Sequence, residues 1–152
     1  MADPRDDAVR KGAHCAWQIH YHIVFPVKDR KALVDEAVTT IIQETAAEIA
    51  ERFPIEMEGI GTDQNHIHLL CSAHPKVAPG RIVQIFKTLT AREIFRRKPA
   101  VKQILWGGEF WTDGYYVATV GGAGQLADRR TVCAAARAAA RRSPAAPNVL
   151  VL

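Results

Sequence analysis

Ile55-Glu56-Met57-Glu58-Gly59-Ile60, followed after Thr62, Asp63 and Gln64 by Asn65-His66-Ile67-His68-Leu69-Leu70, is the stretch on which the fold turns. The first segment alternates apolar and polar residues with a period of two, the pattern of a half-buried strand. The second is an apolar β-type run that carries two histidines one residue apart. The residues between them are turn formers, so the two segments read as a β-hairpin. Side chains two apart on a strand leave it on the same face, which sends His66 and His68 out of the sheet together.

Working outward, Trp17-Gln18-Ile19-His20-Tyr21-His22-Ile23-Val24-Phe25 is rich in aromatic and β-branched residues and predicts one long strand from His14 to Val27. Lys28-Asp29-Arg30-Lys31 is a charged turn. Asp35 can cap a helix bearing Val38, Ile41, Ile42, Thr45, Ala46, Ile49 and Phe53 at spacings of three and four, and Pro54 ends it. Beyond the hairpin, Pro75 and Pro79 mark a loop. A second amphipathic helix follows, with Ile82, Ile85, Phe86, Leu89 and Phe95 inward and basic residues outward, closed by Pro99. Leu105 to Val120 predicts a last strand, approached through Trp106-Gly107-Gly108-Glu109-Phe110-Trp111. The order strand, helix, strand, strand, helix, strand predicts an α+β, ferredoxin-like (split β-α-β) antiparallel sheet with two helices on one face. The other face is left open for a ligand. Residues 1–13 read as a polar arm, 14–121 as the domain, and 122–152 as a divergent tail rich in Ala, Arg and Pro.

A chain of 152 residues with 48% hydrophobic and 24% charged residues has the composition of a globular protein with its own core. It carries no apolar run long enough to span a bilayer, and Ala2-Asp3-Pro4-Arg5-Asp6-Asp7 is too polar and acidic for a signal peptide. Cys15, Cys71 and Cys133 are odd in number and form no C-x-x-C pair, which argues against a disulfide framework and predicts a cytoplasmic setting. The net charge of +4 is modest, but Arg81, Lys87, Arg92, Arg96, Arg97, Lys98 and Lys102 gather in one segment. That asymmetry suggests a surface facing a polyanion.

Imidazole is the commonest side-chain ligand for divalent metals, so His66 and His68 offer two ligands from one rigid element. A pair of hydrogen-bonded histidines is the simpler reading of the spacing alone. His20 and His22 also share a strand face, and an adjacent strand could bring them near the pair. His74, beside Pro75, reads as a loop histidine, and Asp63 as a turn former.

Taken together, Tyr21-His22-Ile23-Val24-Phe25, Asp63 to Leu70, Phe86-Lys87, Trp106-Gly107-Gly108 and Phe110-Trp111-Thr112-Asp113-Gly114-Tyr115-Tyr116-Val117-Ala118-Thr119-Val120-Gly121 resemble the small single-tyrosine transposases of bacterial insertion sequences. These belong to the His-hydrophobic-His superfamily, and the resemblance spans roughly residues 14–121. It implies a homodimeric enzyme acting on single-stranded DNA with hairpins at the element's ends, and a tyrosine that forms a 5′-phosphotyrosyl link. It also implies a divalent metal, Mg²⁺ or Mn²⁺, held by His66 and His68. Within the family pattern His22 has a counterpart and reads as structural. From charge and placement, Lys28, Arg30, Lys31, Lys87, Arg92 and Arg96 are the candidate DNA contacts.

The chain departs from that family at the nucleophile. The family carries Tyr-x-x-x-Gln on a helix after the Thr-Val-Gly element, the Gln serving as a further metal ligand. No tyrosine follows Tyr116 here, and the corresponding region reads Arg129-Arg130-Thr131-Val132-Cys133-Ala134-Ala135-Ala136-Arg137. Tyr115 and Tyr116 are weak substitutes, since they lie within the strand motif. Read one base late, Val132-Cys133 supplies T-any-T, which includes Tyr. Ala136-Arg137 supplies C-any-A, which includes Gln, four places on. A frameshift that replaced the catalytic helix accounts for both. The expectation is a transposase by descent, impaired in cleavage. The alternatives are an active enzyme using Tyr115 or Tyr116, a non-catalytic regulator that binds single-stranded DNA, and a metal-dependent hydrolase drawing a third ligand from Asp63.

Overall fold

A computed structural model describes residues 9–119. Four strands form one antiparallel sheet: β3 (Tyr21–Pro26), β4 (Ile55–Asp63), β5 (His66–Ala73) and β6 (Tyr116–Thr119), in the order β4-β5-β3-β6. Helices α1 (Glu36–Arg52) and α2 (Pro79–Arg97) lie side by side against one face. This is the ferredoxin-like arrangement expected from the order of elements. A short ribbon of β1 (Arg10–Lys11) and β2 (Ala16–Trp17) precedes the sheet. Part of the expected polar arm is thus paired, and Arg10 is tied to Glu56 at 2.5 Å. The 122–152 tail lies outside the described residues.

Local chemistry explains most boundaries. Asp35 caps α1, its carboxylate accepting the Val38 N–H at 2.8 Å; such a cap contributes about 1 kcal/mol. Pro79 starts α2, where a missing N–H is harmless. Pro99 does not simply close α2; it opens a further short helix, α3 (Pro99–Ile104), for the same reason. The expected strand at 14–27 is interrupted between Trp17 and Tyr21. That expected over Leu105–Val120 shrinks to β6, because Gly107, Gly108 and Gly114 adopt φ of +79°, +70° and +89° and turn the chain.

The core fills the gap between sheet and helices. Ile23 and Phe25 from β3, Ile67, Leu69, Cys71 and Ala73 from β5, and Val38, Ile42 and Ile49 from α1 meet Ile82, Phe86 and Ile94 from α2. On α2 the deeply buried positions include Thr90 and Ile94, while Phe95, expected inward, sits half-buried at the rim against Phe110. Phe25 stands edge-on to Phe86 and Trp111, with ring centroids 5.7 and 4.9 Å apart. The Trp111 indole N–H donates to Thr90 Oγ1 at 2.9 Å, and that hydroxyl donates to the Phe86 carbonyl at 2.6 Å. Burial pushes the Cys71 thiol up to about 12, with Glu58 adding to the shift, so Cys71 behaves as an inert core residue.

Replacing Phe86 with Ala should lower unfolding stability by about 3–5 kcal/mol, read from urea denaturation. A loss below about 1 kcal/mol would show that this aromatic cluster does not anchor the sheet to α2.

Candidate metal and nucleic-acid site

The antiparallel ladder sets the site. Ile67, Leu69, Cys71 and Ala73 point into the core, so His66 and His68 leave β5 on the face away from the helices. Pro26 and Val24 of β3 stand opposite His66 and His68, and Asp63 and Gly61 of β4 stand opposite them on the other side. The same alternation puts His22 on this face. The expected shared face of the two histidines is therefore present. Their rings lie 5.0 Å apart at 67°, and His22 stacks on His68 at 5.4 Å and 14°.

Each ring is held at Nδ1. His66 Nδ1–H donates to Asn65 Oδ1 at 2.7 Å, and His68 Nδ1 lies 3.1 Å from His22 Nε2. Two imidazoles joined nitrogen to nitrogen share one proton, so one must donate and the other accept. Burial lowers His22 below its usual pKa and favours its neutral form, which can donate or accept through Nε2. In the arrangement where His22 accepts, His68 carries its proton on Nδ1. On both rings Nε2 becomes the nitrogen that would meet a metal, the orientation that outer hydrogen bonds give metal-binding histidines. The pair fits two ligands of such a site. Among the described residues no set of three or more His, Cys, Asp or Glu side chains is placed to hold a metal ion. Asp63 follows the turn reading, its carboxylate accepting the Gln64 N–H at 2.8 Å.

The helix-free face is less open than expected. His22, His66 and His68 are 1%, 4% and 1% exposed, so the pair is closed to solvent in this conformation. Beside them His20 Nδ1 meets Glu58 Oε1 at 2.5 Å, a buried pair at the β4 bulge between Met57 and Gly59.

Residues 15–130 match the family described as IS200-like transposases. The chain belongs to this family. It is 31% identical over 112 residues to the ISDra2 transposase TnpA of Deinococcus radiodurans, covering 74% of this chain and 80% of that one. It is 27% identical over 109 residues to the IS200 transposase of Salmonella typhimurium, covering 72% of each. A crystal structure of a transposase-like protein from Deinococcus radiodurans R1 superposes with a TM-score of 0.68 at 25% identity, over 81% of this chain and 95% of that one. The fold is also shared with a REP-associated tyrosine transposase bound to a REP hairpin, with a TM-score of 0.51 and 11% identity over 88% and 68% of the two chains.

Within this family member the basic candidates take different positions. Arg92 and Arg96 lie exposed on the outer side of α2, across the sheet from the histidines, and Arg96 pairs with Glu93 at 2.7 Å. Lys87 is half-buried; its ammonium donates to the carbonyls of Thr112 and Gly114 at 2.6 and 2.7 Å and lies over the Phe25 ring. Desolvation lowers its pKa, against the pull of Asp113 and Glu109. Lys31 donates to the Ile104 carbonyl, and Lys28 pairs with Glu109 at 3.3 Å. Lys28, Arg30 and Lys31 follow directly on β3 and sit at the His66 end of the sheet. Tyr115 packs against the core, its hydroxyl close to Gly80 on α2. Tyr116 pairs with Val24, which pairs with His68, so it shares the histidine face two strands away, roughly 10 Å along the sheet. The expected Tyr-x-x-x-Gln position lies outside the described residues.

Sequence reasoning placed His22 on the right face but gave it only a structural role, and it assigned none to Asn65. The signal for His22 was the matching alternation of two strands; its bond to His68 needed the register. A pH dependence follows. With the folded pKa of His22 lowered, the unfolded chain binds more protons as pH falls below about 6.5. The stability contributed by neutral His22 is present above that pH and is lost as pH drops through its folded value. Tm should fall on acidification from pH 6.5, and His22→Gln should show a shallower fall; equal slopes would rule His22 out as the cause.

Proposed function

We propose that this family member is a single-strand DNA transposase by descent that still binds hairpin-bearing element ends as a homodimer, holds Mg²⁺ or Mn²⁺ at His66 and His68, and no longer cleaves. The observation that carries the reading is the pair of same-face imidazoles, each fixed at Nδ1, in a chain of this family. A metal bound there would neutralise the charge that develops on the non-bridging oxygens of a phosphodiester. Asn65 and His22 hold the two rings in the required tautomer. The basic turn after β3 offers positive charge to a DNA strand at the same end of the sheet. That a structural relative is bound to a REP hairpin supports hairpin recognition. Such a protein works where chromosomal DNA is, in the cytoplasm.

The loss of cleavage rests on the sequence. Strand transfer by this chemistry needs a hydroxyl that attacks the phosphorus and keeps the bond energy in a covalent link. No tyrosine follows Tyr116, Tyr115 is packed in the core, and Tyr116 sits two strands from His68. A non-catalytic regulator that binds single-stranded DNA is the same surface without the metal, and the absent tyrosine favours it as the second reading.

Labelled single-stranded ends with hairpins, mixed with the protein and Mn²⁺, should give a retarded complex and no denaturant-resistant protein–DNA product. A covalent adduct would overturn the loss of cleavage. Restoring the neighbouring reading frame from Gln125 onward should restore the adduct; a gene whose bases cannot encode Tyr there would end the frameshift account. Mn²⁺ affinity, followed by electron paramagnetic resonance, should vanish in His66→Ala with His68→Ala and fall by roughly ten- to a hundredfold in His22→Phe. DNA binding without any Mn²⁺ uptake would favour the regulator.

A further inference from the structure

The turn after β3 breaks two rules at once. Asp29 and Arg30 both adopt left-handed backbone, with φ of 55° and 50°, in consecutive non-glycine positions. Such conformations persist where the surroundings hold them, and they gather at binding sites. The second irregularity is the Arg30 side chain. Its Nη2 is buried and has no hydrogen-bond partner, and Arg30 is in no ion pair among the described residues. Two carboxylates elsewhere in the chain are engaged by other cations: Glu109 by Lys28, and Asp35 by Lys98. A guanidinium group brings five donors in a rigid fork and is strongly disfavoured when desolvated without an acceptor.

The turn is strapped to the histidine hairpin on both sides. Val27 N–H donates to the Asn65 carbonyl at 2.8 Å, and Val34 N–H donates to the Gln64 carbonyl at 2.9 Å. Asn65 is the residue that holds the His66 ring. The strained turn and the histidine hairpin are therefore tied together at one end of the sheet.

We infer that Arg30, set by the left-handed turn at Asp29–Arg30, is a phosphate-binding residue that receives a backbone phosphodiester of the single strand passing beside His66 and His68. This rests on the function proposed above and names a contact within it. A phosphate supplies what the guanidinium lacks, two oxygens matched to its fork. Lys28 and Lys31 serve the same strand less specifically, because each already holds a protein oxygen. The left-handed turn at Asp29 and Arg30 is then what sets the direction of the half-buried guanidinium, whose buried Nη2 has no protein acceptor.

The test uses the full chain, with inorganic pyrophosphate and a hairpin-bearing single strand as probes. Arg30→Met keeps the length and apolar stem of the side chain and removes the charge. Its Tm should match that of the wild type, because the side chain gives up no protein hydrogen bond at Nη2. Both probes should raise the wild-type Tm and leave that of Arg30→Met unmoved. Single-strand affinity should fall roughly ten- to a hundredfold, with the slope of log affinity against log salt reduced by about one phosphate contact. Arg30→Lys should recover the slope better than the affinity, since it restores charge and not the fork. Asp29→Gly should raise Tm by relieving strain, with Arg30 intact. A marked drop in Tm for Arg30→Met would make Arg30 a structural residue and overturn the inference. So would unchanged affinity and salt slope in Arg30→Met while the wild type binds DNA. A wild type that takes up pyrophosphate through Arg30 but no single strand would leave the anion site standing and overturn the proposed function. Binding of neither probe would overturn both.

Discussion

The register of β5 between β3 and β4 is the constraint from which the site follows. Because a strand alternates faces residue by residue, Ile67, Leu69, Cys71 and Ala73 can enter the core only if His66 and His68 leave it. A slip of one residue would bury both imidazoles among Phe25, Phe86 and Ile49 and expose the isoleucine and leucine. The hydrophobic driving force of the core thus fixes where the histidines point. No interaction of the histidines themselves is needed to do so, which is why a chemically demanding pair can sit on an ordinary β-hairpin.

What the core does not fix is which ring nitrogen faces outward, and hydrogen bonds supply that. Asn65 reaches its neighbour along the chain, so half of the orientation is local. The other half crosses from β3 to β5 between His22 and His68. Buried polar groups are costly unless bonded, so three buried imidazoles side by side form an expensive arrangement, tolerable because the shared proton leaves at least one ring neutral. The low-dielectric setting that disfavours charge on His22 is the same setting in which a bound cation would act strongly on a phosphate.

The fold was legible where the information was local. The Asp35 cap, the apolar stripe of α1, the stop at Pro54 and the turn before His66 are each written within a few residues. Misreadings came where distant parts compete with local preference. Trp17 to Phe25 has β propensity throughout, yet the ladder begins only at Tyr21, opposite Cys71 of β5 and Thr119 of β6. Leu105 to Trp111 is equally strand-like in composition, and left-handed glycines redirect it. In the site, the common face of His66 and His68 was readable from alternation. The His22–His68 bond was not, since it joins residues 46 apart in sequence. Charge was legible, but its use was not: Lys87 and Arg30 look alike in sequence, and one holds two carbonyls while the other holds none.

That contrast divides the molecule into two regions. In the helical layer, local and global preferences agree: Asp35 caps α1, Glu93 bonds Arg96, Arg97 reaches Glu44 and Glu93, and each apolar stripe meets the sheet. At the other end the preferences conflict, with consecutive left-handed residues at Asp29 and Arg30, a buried guanidinium nitrogen lacking an acceptor, and stacked buried imidazoles. Natural sequences resolve such conflicts unless function maintains them. The conflicts here do not scatter. They fall on His22 of β3 and on two segments, Pro26 to Lys31 and Asn65 to His68, the two segments being bonded to each other through Val27 and Asn65. A layer free of conflict supplies the stability that lets this end of the sheet remain strained, and the strained end is where the proposed site lies.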